Sequence, residues 1–169
     1  MRRTLLATLA AAAATAWTAF APPSPVLTWN ASASAPIGLY LVRPITRWHV
    51  GALVLVRPPH AMAEALARHG ALPRGVPLLK RLAALPGDTV CRHGLDVTVG
   101  STEAATALAW DDDGRPLPAW EGCHTLRDGE VFLFNPHQPR SFDGRYLGPL
   151  PASSVVGNAL AIWTHGAEL

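Results

Sequence analysis

Lys80 is the only lysine among 169 residues, and it stands in the apolar run Pro77-Leu78-Leu79-Lys80-Arg81-Leu82, while every other strongly basic side chain is an arginine. A guanidinium keeps its proton under any condition a protein withstands. An ammonium in apolar surroundings can release it, because desolvation disfavours the charged form. Read as a strand, the run puts Leu78, Lys80 and Leu82 on one face, so that leucines flank the amine. To serve as a base near neutral pH the amine must lose roughly 2–4 pK units, about 3–5 kcal/mol of differential solvation. The competing reading is a surface lysine in an arginine-rich chain.

A neutral amine is useful beside a nucleophile. Ser34 is the leading candidate, in the stretch Asn30-Ala31-Ser32-Ala33-Ser34-Ala35-Pro36-Ile37-Gly38-Leu39-Tyr40. A serine hydroxyl attacks only if a base takes its proton, and a desolvated amine does this without histidine or carboxylate. The seven histidines show no metal-ligand spacing and no recognisable triad motif, so neither a metal site nor a Ser-His-Asp hydrolase is read here. No cofactor is expected.

These stretches resemble the motifs of the bacterial type I signal peptidase family, most closely its TraF-type conjugative-transfer branch. Ser32 to Tyr40 is similar to the family's nucleophile box, in which the serine two positions before the proline attacks the peptide. Leu79-Lys80-Arg81-Leu82-Ala83-Ala84-Leu85-Pro86-Gly87-Asp88 resembles the lysine box with its Pro-Gly-Asp turn, which implies that Lys80 is the general base. Ser141-Phe142-Asp143-Gly144-Arg145-Tyr146 resembles the C-terminal Ser-x-Asp-x-Arg box. The resemblance implies that Ser141 hydrogen-bonds the lysine, that Asp143 pairs with Arg145, and that the Ser34 N–H and the Ser32 hydroxyl form the oxyanion hole. Two positions depart from the pattern: Ala35 stands where methionine is usual, and Leu147 where an aromatic is common.

The elements that must position these residues follow from pattern. Residues 4–21 are uncharged, follow Arg2-Arg3 and end at Pro22-Pro23, which is the grammar of a transmembrane signal anchor. The alternative is a cleaved signal with Ala31-Ser32-Ala33 as an Ala-x-Ala site, although that site lies far beyond the apolar run. The anchor reading divides the chain into a cytoplasmic N-terminus at 1–3, a span at 4–21 and a periplasmic domain at 22–169, with the inner-membrane lipid as a contact. In an oxidising compartment Cys91 and Cys123, which resemble a pair in TraF-like proteins, can close one disulfide; two unrelated thiols are the alternative. Strands are expected at Leu39–Val42, Leu53–Val56, Val76–Leu82, Thr89–Cys91, Leu95–Val99, Val131–Phe134 and Val155–Trp163, with a short inserted helix from Ala61 to His69. Pro86-Gly87-Asp88 reads as a hairpin turn or tight corner, and Asp111-Asp112-Asp113-Gly114 as a solvated turn without the glutamate of a calcium loop. The fold class is mainly β, a coiled or barrel-like sheet domain of the signal-peptidase kind.

A net charge of +2 with scattered arginines points away from nucleic acid. The expected function is a membrane-anchored serine endopeptidase that cuts exported, membrane-tethered precursors after small residues, the resemblance pointing to a conjugative pilin precursor. General removal of signal peptides, or a non-catalytic periplasmic module of a transfer apparatus, are the alternatives. A self-cleaving repressor would share the Ser/Lys chemistry but carry a DNA-binding helix pair where this chain has an apolar segment.

Overall fold

The computed structural model describes residues 2–20, 27–32, 34–100, 102–135, 138 and 140–165. The prolines expected to stop the first helix, and Ala33 of the Ala-x-Ala site, lie outside the described residues.

The chain is mainly β. In order it forms α1 (Arg2–Phe20), β1 (Leu27–Asn30), β2 (Ile37–Arg43), β3 (Leu53–Val56), α2 (His60–Arg68), β4 (Leu78–Ala84), β5 (Thr89–His93), β6 (Asp96–Val99), β7 (Thr102–Thr106), β8 (Gly122–Thr125), β9 (Glu130–Phe134), α3 (Gly144–Leu147), β10 (Leu150–Pro151) and β11 (Val155–His165). Every strand pairing is antiparallel. One sheet has the order β1-β2-β11-β3-β4-β9-β10, and a smaller one β7-β6-β5-β8.

The expected transmembrane anchor falls on the α1 helix. It is 19 residues long, yet no helix among the described residues is long and apolar enough to cross a membrane. The physical reason is composition: alanine and threonine fill most of it, and these contribute far less transfer free energy than leucine or phenylalanine.

Strand β4 explains the layering. Its residues are buried on both faces except at the exposed Arg81 and the half-buried Ala83. Leu78 and Leu82 join Val54, Val56, Leu66, Leu133, Phe142 and Tyr146 in the largest core cluster, while Leu79 packs on the other side with Ala35, Tyr40, Val42 and Leu55. A third cluster, with Val90, Val97, Phe132 and Phe134, lies under the smaller sheet. The Pro86-Gly87-Asp88 stretch is a corner and not a hairpin, because β4 and β5 belong to different sheets. Asp88 N–H donates to Leu85 O at 3.0 Å, and Gly87 takes a φ of +94°, which disfavours any side chain there.

The long strand β11 bends to serve two neighbours. It pairs with β3 from Val155 to Asn158 and with β2 from Asn158 to His165, with register shifts between Val155 and Gly157 and between Ala161 and Trp163. Opposite the second shift, a Cβ on Gly38 would lie 2.1 Å from Trp163 O, so only glycine lets β2 and β11 approach there. This places the end of the loop that carries Ser34 firmly against the large sheet.

Candidate active site

Lys80 sits at the centre of β4, where Val54 of β3 faces it across the ladder. Its residue exposure is 1%, and its ammonium donates to Ser141 Oγ at 2.5 Å. Burial pushes the lysine pKa down to about 8; the nearby Asp143 carboxylate opposes the shift and Arg145 adds to it. The amine therefore loses its proton within reach of neutral pH, which a surface lysine does not do.

Ser141 is held from behind by a buried ion pair. Arg145 Nε donates to Asp143 Oδ1 and Arg145 Nη2 to Asp143 Oδ2, each at 2.9 Å, with side-chain exposures of 1% and 0%. The same guanidinium donates to Ser141 O at 3.0 Å and Gln138 O at 2.7 Å, and lies over the Phe134 ring. Two buried opposite charges, bidentate and further hydrogen-bonded, fix the backbone that presents the Ser141 hydroxyl. Asp143 also caps α3, accepting from Arg145 N–H. Gly144 is required by packing, since a Cβ there would meet Leu133 O and the Phe132 ring at 2.7 Å.

Ser34 and Ser32 lie on the loop between β1 and β2, their hydroxyls 3.0 Å apart. Ser32 Oγ also donates to Asn30 Oδ1 at 2.9 Å. The Asn30 amide in turn donates to the carbonyls of Ser32, Ala35 and Pro36 at 2.9, 3.0 and 3.0 Å, and Tyr40 Oη donates to Pro36 O at 2.6 Å. Ala35, at the position where methionine is usual in the resembled motif, is buried beside Tyr40, Leu55 and Leu79. Asn135 joins this loop to β4 by donating to Ser34 O. Among the described residues no direct hydrogen bond links Ser34 Oγ to Lys80 Nζ; the two serines bond each other, and the lysine bonds Ser141.

Cys91 and Cys123 are directly opposed on β5 and β8 and joined in a disulfide. His93 is the one further ligand-type side chain close to both sulfurs among the described residues, but the thiols are already spent on each other. Next in sequence to Cys91, the buried Arg92 donates to Arg145 O at 2.5 Å and to Gly94 O at 2.9 Å, so the smaller sheet braces α3. Trp120 does the same through Gly144 O at 2.9 Å. The inserted α2 and the acidic turn meet at His69 Nδ1 and Asp111 Oδ2, 2.8 Å apart, with the His69 ring against Phe142. The turn itself is stitched by Arg115, whose backbone and side chain both donate to Asp111.

Asn30, Arg92, Trp120 and Asn135 were not singled out by sequence reasoning. Asn135 had one visible signal, its place in an Asn-Pro pair just after a strand, which reads locally as a strand terminator.

The family described as signal peptidase, peptidase S26, matches residues 1–164. Over 146 residues, 80% of this chain and 76% of the relative, the sequence is 38% identical to a probable conjugal transfer protein TraF of Sinorhizobium fredii. Over 144 residues, 80% of this chain and 81% of the relative, it is 35% identical to the conjugal transfer protein TraF of Agrobacterium fabrum. A plasmid transfer protein TraF of Escherichia coli is 32% identical over 139 residues, 75% of this chain and 77% of its own length. Among solved structures, a signal peptidase I of Enterococcus faecalis aligns with a TM-score of 0.40 at 18% identity, covering 68% of this chain and 97% of that one.

Proposed function

Since the chain belongs to the signal peptidase S26 family, we propose that it is a serine endopeptidase in which Ser34 attacks the peptide bond of an exported precursor and Lys80 is the general base. The observation that carries this reading is the amine of Lys80, buried, depressed in pKa and oriented by Ser141. In the proposed cycle the neutral amine takes the Ser34 proton as the oxygen bonds the scissile carbonyl carbon. The negative charge that develops on the carbonyl oxygen is met by the Ser32 hydroxyl and the Ser34 N–H; an oxyanion donor of this kind is typically worth about 3–4 kcal/mol. The lysine ammonium then gives its proton to the departing amine, leaving an acyl-serine. Water, deprotonated by the same amine, releases the acid and regenerates the enzyme.

The curated relatives are named as conjugal and plasmid transfer proteins, which favours a conjugative pilin precursor as substrate over general signal peptides. An envelope location accords with these relatives and with the disulfide. The edge of the large sheet supports contact with a membrane surface. Trp29 and Trp163 flank Leu39 in register, their rings stacked with centroids 5.8 Å apart, and Leu27, Leu160 and Ile162 are exposed beside them. Tryptophan favours the headgroup region, so this edge would hold the Ser34 loop near a membrane-tethered substrate. The described α1 does not itself meet the requirement for a span.

The test is mass spectrometry of the pilin precursor made with wild-type protein and with Ser34→Ala. The precursor should mature only with the wild type. Maturation at an undiminished rate with Ser34→Ala would end the proposal, and cleavage of ordinary signal peptides with the pilin precursor untouched would leave general signal-peptide removal as the function.

A further inference from the structure

Asn135 immediately follows β9 and is 4% exposed. The β9–β4 ladder pairs Phe134 with Arg81 and goes no further. At that point the Asn135 side chain takes over the work of a strand. Its Oδ1 accepts from Arg81 N–H at 3.0 Å, and its amide reaches Leu79 O at 3.4 Å, so one side chain grips the main chain on both sides of Lys80. The same amide donates to Ser34 O, and the backbone N–H of Asn135 donates to Asp143 Oδ2 at 3.1 Å. A primary amide has two N–H donors and one carbonyl, and here they are divided between the β4 main chain around Lys80 and the carbonyl of Ser34.

We propose that Asn135 is a positioning residue that sets the spacing between the Ser34 loop and Lys80, coupling both to the Asp143 carboxylate. The proposal rests on the Ser34/Lys80 reading for its catalytic consequence but on geometry for the coupling itself. The side chains of neighbouring size do not replace it. Aspartate keeps the acceptor for Arg81 and loses both donors. Alanine leaves the carbonyls of Ser34 and Leu79 without this partner, and glutamine displaces its amide by a methylene. Because Ser34 Oγ and Lys80 Nζ do not bond each other directly, their relative placement depends on such a bridge, and misplacement of about 1 Å at a reacting centre costs roughly 100-fold in rate.

The experiment uses the full chain in detergent, as wild type, Asn135→Ala, Asn135→Asp, Ser34→Ala and Lys80→Arg. One readout is cleavage of a fluorogenic peptide with small residues before the junction. The other needs no substrate: Lys80 is the only lysine, so lysine labelled with carbon-13 at Cε yields a single side-chain resonance whose pH titration reports the surroundings of Nζ. Asn135→Ala should lower kcat roughly 100-fold with KM within about twofold. It should also raise the Lys80 midpoint by about one unit as water reaches a loosened site, and Asn135→Asp should raise it further by adding a second carboxylate to that of Asp143. A loss of global stability alone leaves the midpoint of the folded protein where it was. The proposal is overturned if the midpoint in both Asn135 variants equals that of the wild type, if both keep wild-type kcat, or if neither variant retains the folded state, which would make Asn135 a stability residue. Activity in Ser34→Ala, or no peptide cleavage by any form, would instead count against the peptidase reading, and the Lys80 titration would still decide the role of Asn135.

Discussion

Lys80 Nζ and Ser141 Oγ, from strand β4 and the turn before α3, meet at 2.5 Å with both residues at least 96% buried. The amine is thereby aimed by a neutral hydroxyl and not by a carboxylate, so its position is defined without an ion pair that would keep it protonated. This is a suitable arrangement for a lysine that must act in its neutral form.

The first prediction concerns rate against pH. With the Lys80 pKa pushed down to about 8, the rate at low substrate should rise from pH 6.5 towards a plateau near pH 9, an illustrative window about that value, because the neutral amine is the active form. Lys80→Arg should lose activity as completely as Lys80→Ala, since arginine cannot accept the serine proton. A rate that declines over this interval, or an active Lys80→Arg enzyme, would remove the base role.

The same group predicts how stability varies with pH. Folding lowers the Lys80 pKa from 10.5 to about 8, so between these values the unfolded chain binds more protons than the folded one. Stability therefore rises with pH across that window, and below it the buried ammonium is a constant penalty of about 3 kcal/mol. Lys80→Met should be at least as stable as wild type at pH 7, the relief of that penalty outweighing a lost hydrogen bond to Ser141 of about 1 kcal/mol. The stability difference between the two proteins should shrink towards pH 10. Chemical denaturation at several pH values measures this, and a constant difference would contradict it.

Breaking the Asp143–Arg145 pair should be severe. Arg145→Ala leaves a fully buried carboxylate without its partner and strips Ser141 O and Gln138 O of a donor, for a loss of about 3–5 kcal/mol in urea denaturation. Arg145→Lys should recover little, because an ammonium cannot make the bidentate contact and reach two carbonyls from one planar group. A loss below about 1 kcal/mol in Arg145→Ala would place the pair among ordinary surface ion pairs.

The disulfide should be intact and stabilising. Thiol labelling without reductant should find neither Cys91 nor Cys123 free, and the double alanine variant should lose about 3–4 kcal/mol, as expected for a cross-link over a separation of 32 residues. Calorimetry with and without reductant checks the magnitude. Equal melting temperatures would show that β5 and β8 are held by the ladder alone.

What the sequence by itself determined is local. Alternation and apolar runs placed β3, β9 and β11 closely, the Pro-Gly-Asp stretch marked a turn, either hairpin or corner, and the lone lysine among leucines offered a buried amine beside the reading of a surface lysine. Such features depend on residues a few positions apart, whose conformational preferences are carried by the stretch itself. The N-terminal segment was also legible as a helix, but its alanines made it a weaker apolar segment than its length suggested. Tertiary structure decided the rest. Asn135 lies 101 residues from Ser34 and 54 from Arg81, and nothing near it in sequence distinguishes an amide that ends a strand from one that joins three segments. Arg92, just past the Thr89–Cys91 run expected as a strand, is buried because β5 turns it toward α3, where the carbonyl of Arg145 receives it. The depressed pKa of Lys80 is likewise a property of the fold, since desolvation arises from side chains that β3, β4 and the turn before α3 bring together only once the sheet is assembled.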